Sequence, residues 1–176
     1  SRIHPKKSLE TLIDAVHLLH GQGNPARLLV AGTGDDVYAA EMKRRAQDHG
    51  LADHVSFLGM VVGDLKLSLY AMADVFALPT QQENFGLVYP EALLCGTPVI
   101  TTRGTDIWRE LEESGGSVIV KRDAQAFADA LTLLVTDEAR RDEMGRAGRA
   151  WVLEWLDSDA VGARYEEMYE SAISAR

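Results

Sequence analysis

At 176 residues the chain has room for one domain with a sizeable core, and 46% apolar with 26% charged residues is ordinary for a globular protein. A formal net charge of −9 leaves no basic surface to neutralise a phosphate backbone, which excludes nucleic-acid binding through a broad electrostatic footprint, so any phosphate must be met locally. The single cysteine, Cys95, excludes an internal disulfide, and no apolar stretch approaches the length of a transmembrane helix; the expectation is a soluble, cytoplasmic chain.

Residues 1–5 have neither an initiator Met nor any lead-in before a helical pattern, and are expected to open a piece of something longer. Leu9, Leu12, Ile13, Val16 and Leu19 recur at helical spacing after Ser8, an expected N-cap, and Gly21 and Gly23 stop the run. Residues 27–31 form a short apolar run that the Gly32-Thr33-Gly34 turn marks as a buried strand. A polar helix is expected over 35–49, with Val37, Met42 and Ala46 as a thin apolar stripe, followed by a strand at 55–58, a helix over 64–73 and a third strand over 74–78 ending at Pro79. A loop over 80–85 then feeds a helix at 87–94, and Gly96 with Pro98 closes it before a strand at 99–102. A strand at 117–120 and a helix over 123–135 repeat the pattern; beyond Asp137 the chain is helical, with Trp151 and Trp155 at i,i+4 and a last amphipathic helix over 159–174. This alternation predicts a doubly wound, Rossmann-like α/β domain with a parallel sheet, whose ligand sits beyond the carboxyl ends of the strands.

The stretch richest in chemistry runs Glu83-Asn84-Phe85-Gly86-Leu87-Val88-Tyr89-Pro90-Glu91. On one continuous helix, carboxylates eight residues apart differ by about 80° in direction and about 12 Å in height, too far to grip one small ligand. A bend at Gly86, with Glu83 on the loop and the helix starting just after, lets both face a crevice above the sheet. The bend also frees the N–H groups of Phe85, Gly86 and Leu87 for an anion, and glycine lets the backbone approach a diphosphate closely. Carboxylates repel a dianion, so their use is to accept hydrogen bonds from sugar hydroxyls, while Arg2 and Lys7, with Lys6 as a close substitute, supply the positive charge.

Arg2-Ile3-His4-Pro5-Lys6-Lys7, the Gly32-Thr33-Gly34 turn, Phe57-Leu58-Gly59 and the stretch from Glu83 to Pro98 together resemble the C-terminal domain of the retaining family-four glycosyltransferases of GT-B fold. The resemblance covers nearly the whole chain, and its E-x7-E element followed by E-A-L-L-C-G-T-P-V-I is highly specific. It implies that Arg2 and Lys7 hold the donor diphosphate, that Glu83 meets the transferred sugar and that Glu91 meets the nucleotide ribose. It implies further that the turn Gly32, Thr33 and Gly34 and the segment Leu58, Gly59 and Met60 flank the base, with Asn84, Phe85, Gly86 and Leu87 completing the donor site. The resemblance makes residues 1–176 a nucleotide-sugar-binding domain, needing neither metal nor cofactor, whose partner is an absent N-terminal acceptor domain; peripheral membrane association of the full-length enzyme would run through that half. Three departures stand out: Ser8 where the family has Gly after the Lys, Thr102-Arg103-Gly104-Thr105-Asp106 in place of a Gly-Gly pair followed by an acid, and no strand before Arg2.

His4, His17, His20, His49 and His54 show no metal-ligand spacing and are expected to be structural or surface residues, and Cys95 an inert thiol at a helix end. A nucleotide-sugar epimerase on the same fold, or a non-catalytic nucleotide-binding module, remains an alternative. The first would show a different acidic pattern in the crevice; the second needs neither the Glu83/Glu91 pair nor the basic loop.

Overall fold

A computed structural model describes residues 1–174. After a 3-10 turn at Pro5–Lys7 come α1 (Leu9–Gly21), β1 (Leu28–Ala31), α2 (Asp36–Asp48), β2 (Val55–Gly59), α3 (Gly63–Met72), β3 (Phe76–Leu78), α4 (Val88–Leu94), β4 (Val99–Thr102), α5 (Trp108–Glu113), β5 (Ser117–Val120), α6 (Ala124–Thr136), α7 (Glu138–Trp155) and α8 (Ser158–Ser174). All strand pairing is parallel, as crossover helices require, with β1 on β2 and β3 on β4 on β5 in two hydrogen-bonded sections.

Three of the helices, α2, α6 and α7, begin where an aspartate accepts orphaned N–H groups. Asp35 caps α2 through the Tyr38 N–H at 2.9 Å, Asp123 caps α6 through Ala126 at 2.9 Å, and Asp137 caps α7 through Arg140 at 3.0 Å. Ser8 departs from expectation. It stands before α1, but its backbone is left-handed (φ 49°, ψ 48°) and its side chain makes no cap; its Oγ instead accepts from Arg122 Nη1 at 3.2 Å.

Helix α1 is central because its apolar arc is wide enough to serve two cores. Leu12, Ala15 and Leu19 pack with Phe127, Leu131 and Leu134 of α6 against Ile100 of β4. Ile13 and Val16 face α2, β1 and β2, where Tyr38, Met42 and Ala46 form the buried stripe of α2. Val37, expected in that stripe, is 80% exposed. The i,i+4 set that fits a helix is 38, 42, 46, and Val37 lies a residue out of phase with it. On the other face of the sheet, Leu78 and Val99 pack under Tyr89, Ala92 and Leu93 of α4, Leu111 of α5 and Val152 of α7. Every residue of β4 is buried, which is why Val99 to Thr102 reads as a strand without polar alternation. Helix α5, which the sequence reading left out, has only six residues and one buried side chain, Leu111.

At the other extreme α8 buries nothing, and Tyr165, Met168, Tyr169 and Ile173 stay exposed along it. Among the described residues no helix is long and apolar enough to cross a membrane.

Candidate functional site

The carboxyl ends of β1, β3 and β4 carry three loops that are tied to one another. At the end of β1, Ile3 donates to the Thr33 carbonyl at 3.0 Å and Asp35 donates to that of Ile3 at 2.9 Å, so residues 1–3 lie across the glycine turn. Gly32 and Gly34 are explained by that approach: a Cβ at Gly32 would collide with the Ser1 carbonyl and one at Gly34 with that of Ile3. The turn thus presents Arg2. Gly32 also donates to Gly59 at 2.7 Å, joining it to the segment in which Leu58 and Met60 are 41% and 68% exposed.

The loop after β3 is stitched to the basic loop through the Lys6 carbonyl, which accepts from Gln81 N at 2.7 Å and lies 3.3 Å from the hydroxyl of the fully buried Thr80. On its other side the loop after β4 holds it: Thr102 Oγ1 donates to Thr80 O at 2.6 Å, Glu83 N to Gly104 O at 2.8 Å and Asp106 N to Glu83 O at 2.9 Å. Glu83 is therefore clamped from both sides, and its carboxylate accepts directly from Lys7 Nζ. Arg2, His4, Lys6, Lys7, Gln82, Glu83 and Asn84 line a cleft of about 380 Å³. Lys6 takes Gln82 Oε1 at 3.1 Å, leaving Lys7 as the cation on Glu83, and among the described residues Arg2 has no ion pair.

The chain bends at Gly86 (φ 65°), and α4 starts two residues later. Among the described residues no N–H of Phe85, Gly86 or Leu87 has a backbone partner. The Phe85 ring leaves the cleft and stacks on Trp155, 5.6 Å away with planes 1° apart, while Trp155 stacks on Trp151 at 4.4 Å. The two tryptophans are packing residues that pin the bend to α7. Leu87 is 65% exposed at the head of α4.

Glu91 is not in the lining of the cleft. Its Oε1 accepts from Lys66 Nζ of α3 at 2.6 Å, and the Tyr70 hydroxyl lies 3.4 Å from Oε2. Burial, with Glu91 beside it, pushes the Tyr70 phenol above its ordinary range, so it remains a donor. Each carboxylate therefore has its own lysine, where the sequence reading assigned cations to the basic loop alone. Lys66, Tyr70, Gln82 and His4 were missed as site residues. Lys66 and Tyr70, four residues apart on α3, carried a signal only as polar groups on one face of a short helix.

Cys95 is half-buried, and burial pushes its thiol up, away from reactivity. His17 stacks on His49 at 4.3 Å and His20 meets His54 edge-on at 4.4 Å. Among the described residues no group of three His, Cys, Asp or Glu is placed to hold a metal ion.

The family model described as "Glycosyl transferases group 1" matches residues 1–151. This chain belongs to that family. It is 32% identical over 184 residues to a GDP-mannose-dependent alpha-(1-6)-phosphatidylinositol monomannoside mannosyltransferase of Mycobacterium tuberculosis, covering 100% of this chain and 47% of the relative. It is 31% identical over 189 residues to a D-inositol 3-phosphate glycosyltransferase of Stackebrandtia nassauensis, covering 99% and 42%. Among solved structures, Anabaena HepE in complex with UDP superposes with a TM-score of 0.84 at 23% identity over 97% of this chain and 47% of that one, a likeness of fold. The group 1 chain thus spans about half the length of the curated relatives it matches.

Proposed function

We propose that this chain is the donor-binding domain of a retaining glycosyltransferase that moves a hexose from a nucleoside-diphosphate sugar to an acceptor held by a further domain of the parent protein. The observation that carries the reading is the cleft in which Arg2 and Lys7 face Glu83 across two hydrogen-bonded loops. Family membership supports it, as do relatives whose names specify GDP-mannose, which makes GDP-mannose the first donor to test.

The chemistry follows from charge. Arg2 and Lys7 stabilise the negative charge that grows on the departing diphosphate, the place where fixed cations lower a barrier, and the free N–H groups around Gly86 add to them. Lys7 takes only part of Glu83's acceptor capacity, so the remaining lone pairs are open to sugar hydroxyls, which orients the ring for transfer. Glu91, steadied by Lys66 and Tyr70, is assigned to the ribose diol. No metal is required where side-chain cations neutralise the diphosphate. In the same reading the parent protein is cytoplasmic and meets a membrane peripherally when its acceptor is a lipid, as the name of the mycobacterial relative specifies for that enzyme.

Calorimetry on this chain with GDP, GDP-mannose and UDP tests the proposal. Glu91→Ala removes charge-assisted hydrogen bonds worth about 1.5–3 kcal/mol, so the Kd for the preferred nucleotide should rise roughly tenfold to a hundredfold. Absence of binding at millimolar nucleotide, with Glu91→Ala changing nothing, refutes the assignment.

A further inference from the structure

Two residues that line the cleft, His4 and Gln82, have no part in the donor reading, and both are tied to Lys6. The Lys6 N–H donates to His4 Nδ1 at 3.1 Å, capping the 3-10 turn, and the Lys6 ammonium donates to Gln82 Oε1 at 3.1 Å. Neither donor can reverse its role, because an amide N–H and an ammonium have no lone pair to offer. His4 Nδ1 is therefore bare, which places the proton of the neutral ring on Nε2. The same logic turns the Gln82 amide so that its NH2 group is the end left over. Among the described residues neither Nε2 of His4 nor Nε2 of Gln82 has a hydrogen-bond partner.

Lys6 thus sets both side chains as donors within the cleft. Three cations, Arg2, Lys6 and Lys7, already stand there against the one carboxylate of Glu83. A further cation would add to the repulsion among them, whereas a neutral N–H adds a hydrogen bond without that cost. Of the ligand groups in the donor reading, sugar hydroxyls both give and accept hydrogen bonds, while phosphate oxygens only accept. Groups that can only give are matched to the phosphates.

We infer that His4 and Gln82 bind the diphosphate of the donor as uncharged hydrogen-bond donors. The inference rests on the donor reading of the cleft and adds to it two residues that carry no charge.

The test is calorimetry of this chain with GDP and with UDP, joined to long-range proton–nitrogen correlation spectra of the histidine rings. His4→Asn keeps the cap, because an Asn side chain reaches the N–H two residues on and suits the position before Pro5, but it lacks the Nε2–H. Gln82→Met keeps the length of the side chain and loses the amide. Each variant should raise the Kd of the nucleotide that binds by about tenfold, the loss of one hydrogen bond to a charged group, with the unfolding midpoint of the parent chain. In the spectra His4, assigned by the signal that His4→Asn removes, should show the Nε2–H form, and its Nε2 signal should move as nucleotide saturates the chain. An Nδ1–H form, ring signals that stay in place, or an unchanged Kd in either variant overturns the inference. So does a loss of affinity matched by a lower unfolding midpoint in both variants, which would make the two residues structural. A parent chain that binds neither GDP nor UDP overturns the donor reading itself, and this inference falls with it.

Discussion

The bend at Gly86 is the joint on which the site depends, and a pair of alanine substitutions measures it. Gly86 has φ 65°, and a Cβ there would lie 2.6 Å from Tyr89 Cε2 and 2.8 Å from Glu83 Cγ. Tyr89 cannot give way: it is fully buried, and its hydroxyl lies 3.0 Å from Thr101 Oγ1. Glu83, held by Lys7, must move instead. Gly96 is the control, because its φ is 80° but nothing lies within 4 Å of an added Cβ. Placing alanine in the left-handed region costs about 1–2 kcal/mol at both sites, offset by about 0.4–1 kcal/mol from a less flexible unfolded chain. Gly96→Ala should therefore destabilise by about 1 kcal/mol. Gly86→Ala adds an overpacking cost of about 1–3 kcal/mol, for a total of about 2–4 kcal/mol. At this chain length each kcal/mol shifts Tm by roughly 2–4 °C, so the two variants should be clearly separated in thermal and urea unfolding. Gly86→Ala alone should also weaken nucleotide-sugar binding, through Glu83. Equal unfolding midpoints for the two variants would refute the claim that Tyr89 and Glu83 close around the bend.

Two further substitutions probe the frame. Ser8→Ala keeps the left-handed backbone and loses the contact with Arg122, whereas Ser8→Gly loses the same contact but relieves the backbone; chemical denaturation should show Ala the worse of the two by about 1 kcal/mol, and the reverse order would mean the loop does not hold this conformation. Asp14 is subject to burial that would raise its pKa, but Arg45 at 2.6 Å and His49 at 2.8 Å overcome it and hold the carboxyl below its ordinary value. A depressed carboxyl contributes stability that is present above the ordinary aspartate pKa and is lost as pH falls through the folded value. Asp14→Asn should accordingly lower stability at neutral pH by less than about 1 kcal/mol, as befits a part-exposed pair, and flatten the loss between the two pKa values in acid unfolding; a parallel acid limb would contradict the linkage.

Much of this was legible because the signals are local. Asp35, Asp123 and Asp137 mark helix starts by a mechanism that acts over three residues, and the lack of polar alternation in β4 follows from burial on both faces. The bend at Gly86 was legible for the same reason, since one residue must supply a positive φ. What escaped was non-local or a matter of phase. Val37 and Tyr38 differ by one position, and only packing on α1 decides which turns inward. Lys66 reaches Glu91 from another helix, 25 residues away in the chain, and no spacing rule connects them. Ser8 looked like a cap by its type, yet its partner is Arg122, 114 residues on. The resemblance set the glycines of the β1 turn beside the base, while the close approach visible here is that of the chain's own residues 1–3.

The pairing of Glu83 and Glu91 each with its own lysine bears on how, in the donor-binding reading proposed above, a chain of net charge −9 would accommodate a diphosphate. Two unpartnered carboxylates beside the cleft would raise the cost of bringing in a dianion by like-charge repulsion. Lys7 on Glu83 and Lys66 on Glu91 cancel that repulsion at short range, with all four side chains only partly exposed and so weakly screened by salt. A sugar hydroxyl need not break either pair, because a carboxylate offers about four acceptor positions and an ammonium occupies one. In the proposed reading Lys7 would act twice, neutralising Glu83 and leaving two of its own N–H donors for the diphosphate. Arg2 and Lys6, which line the cleft and among the described residues have no ion pair, would in that reading keep their full charge for the ligand.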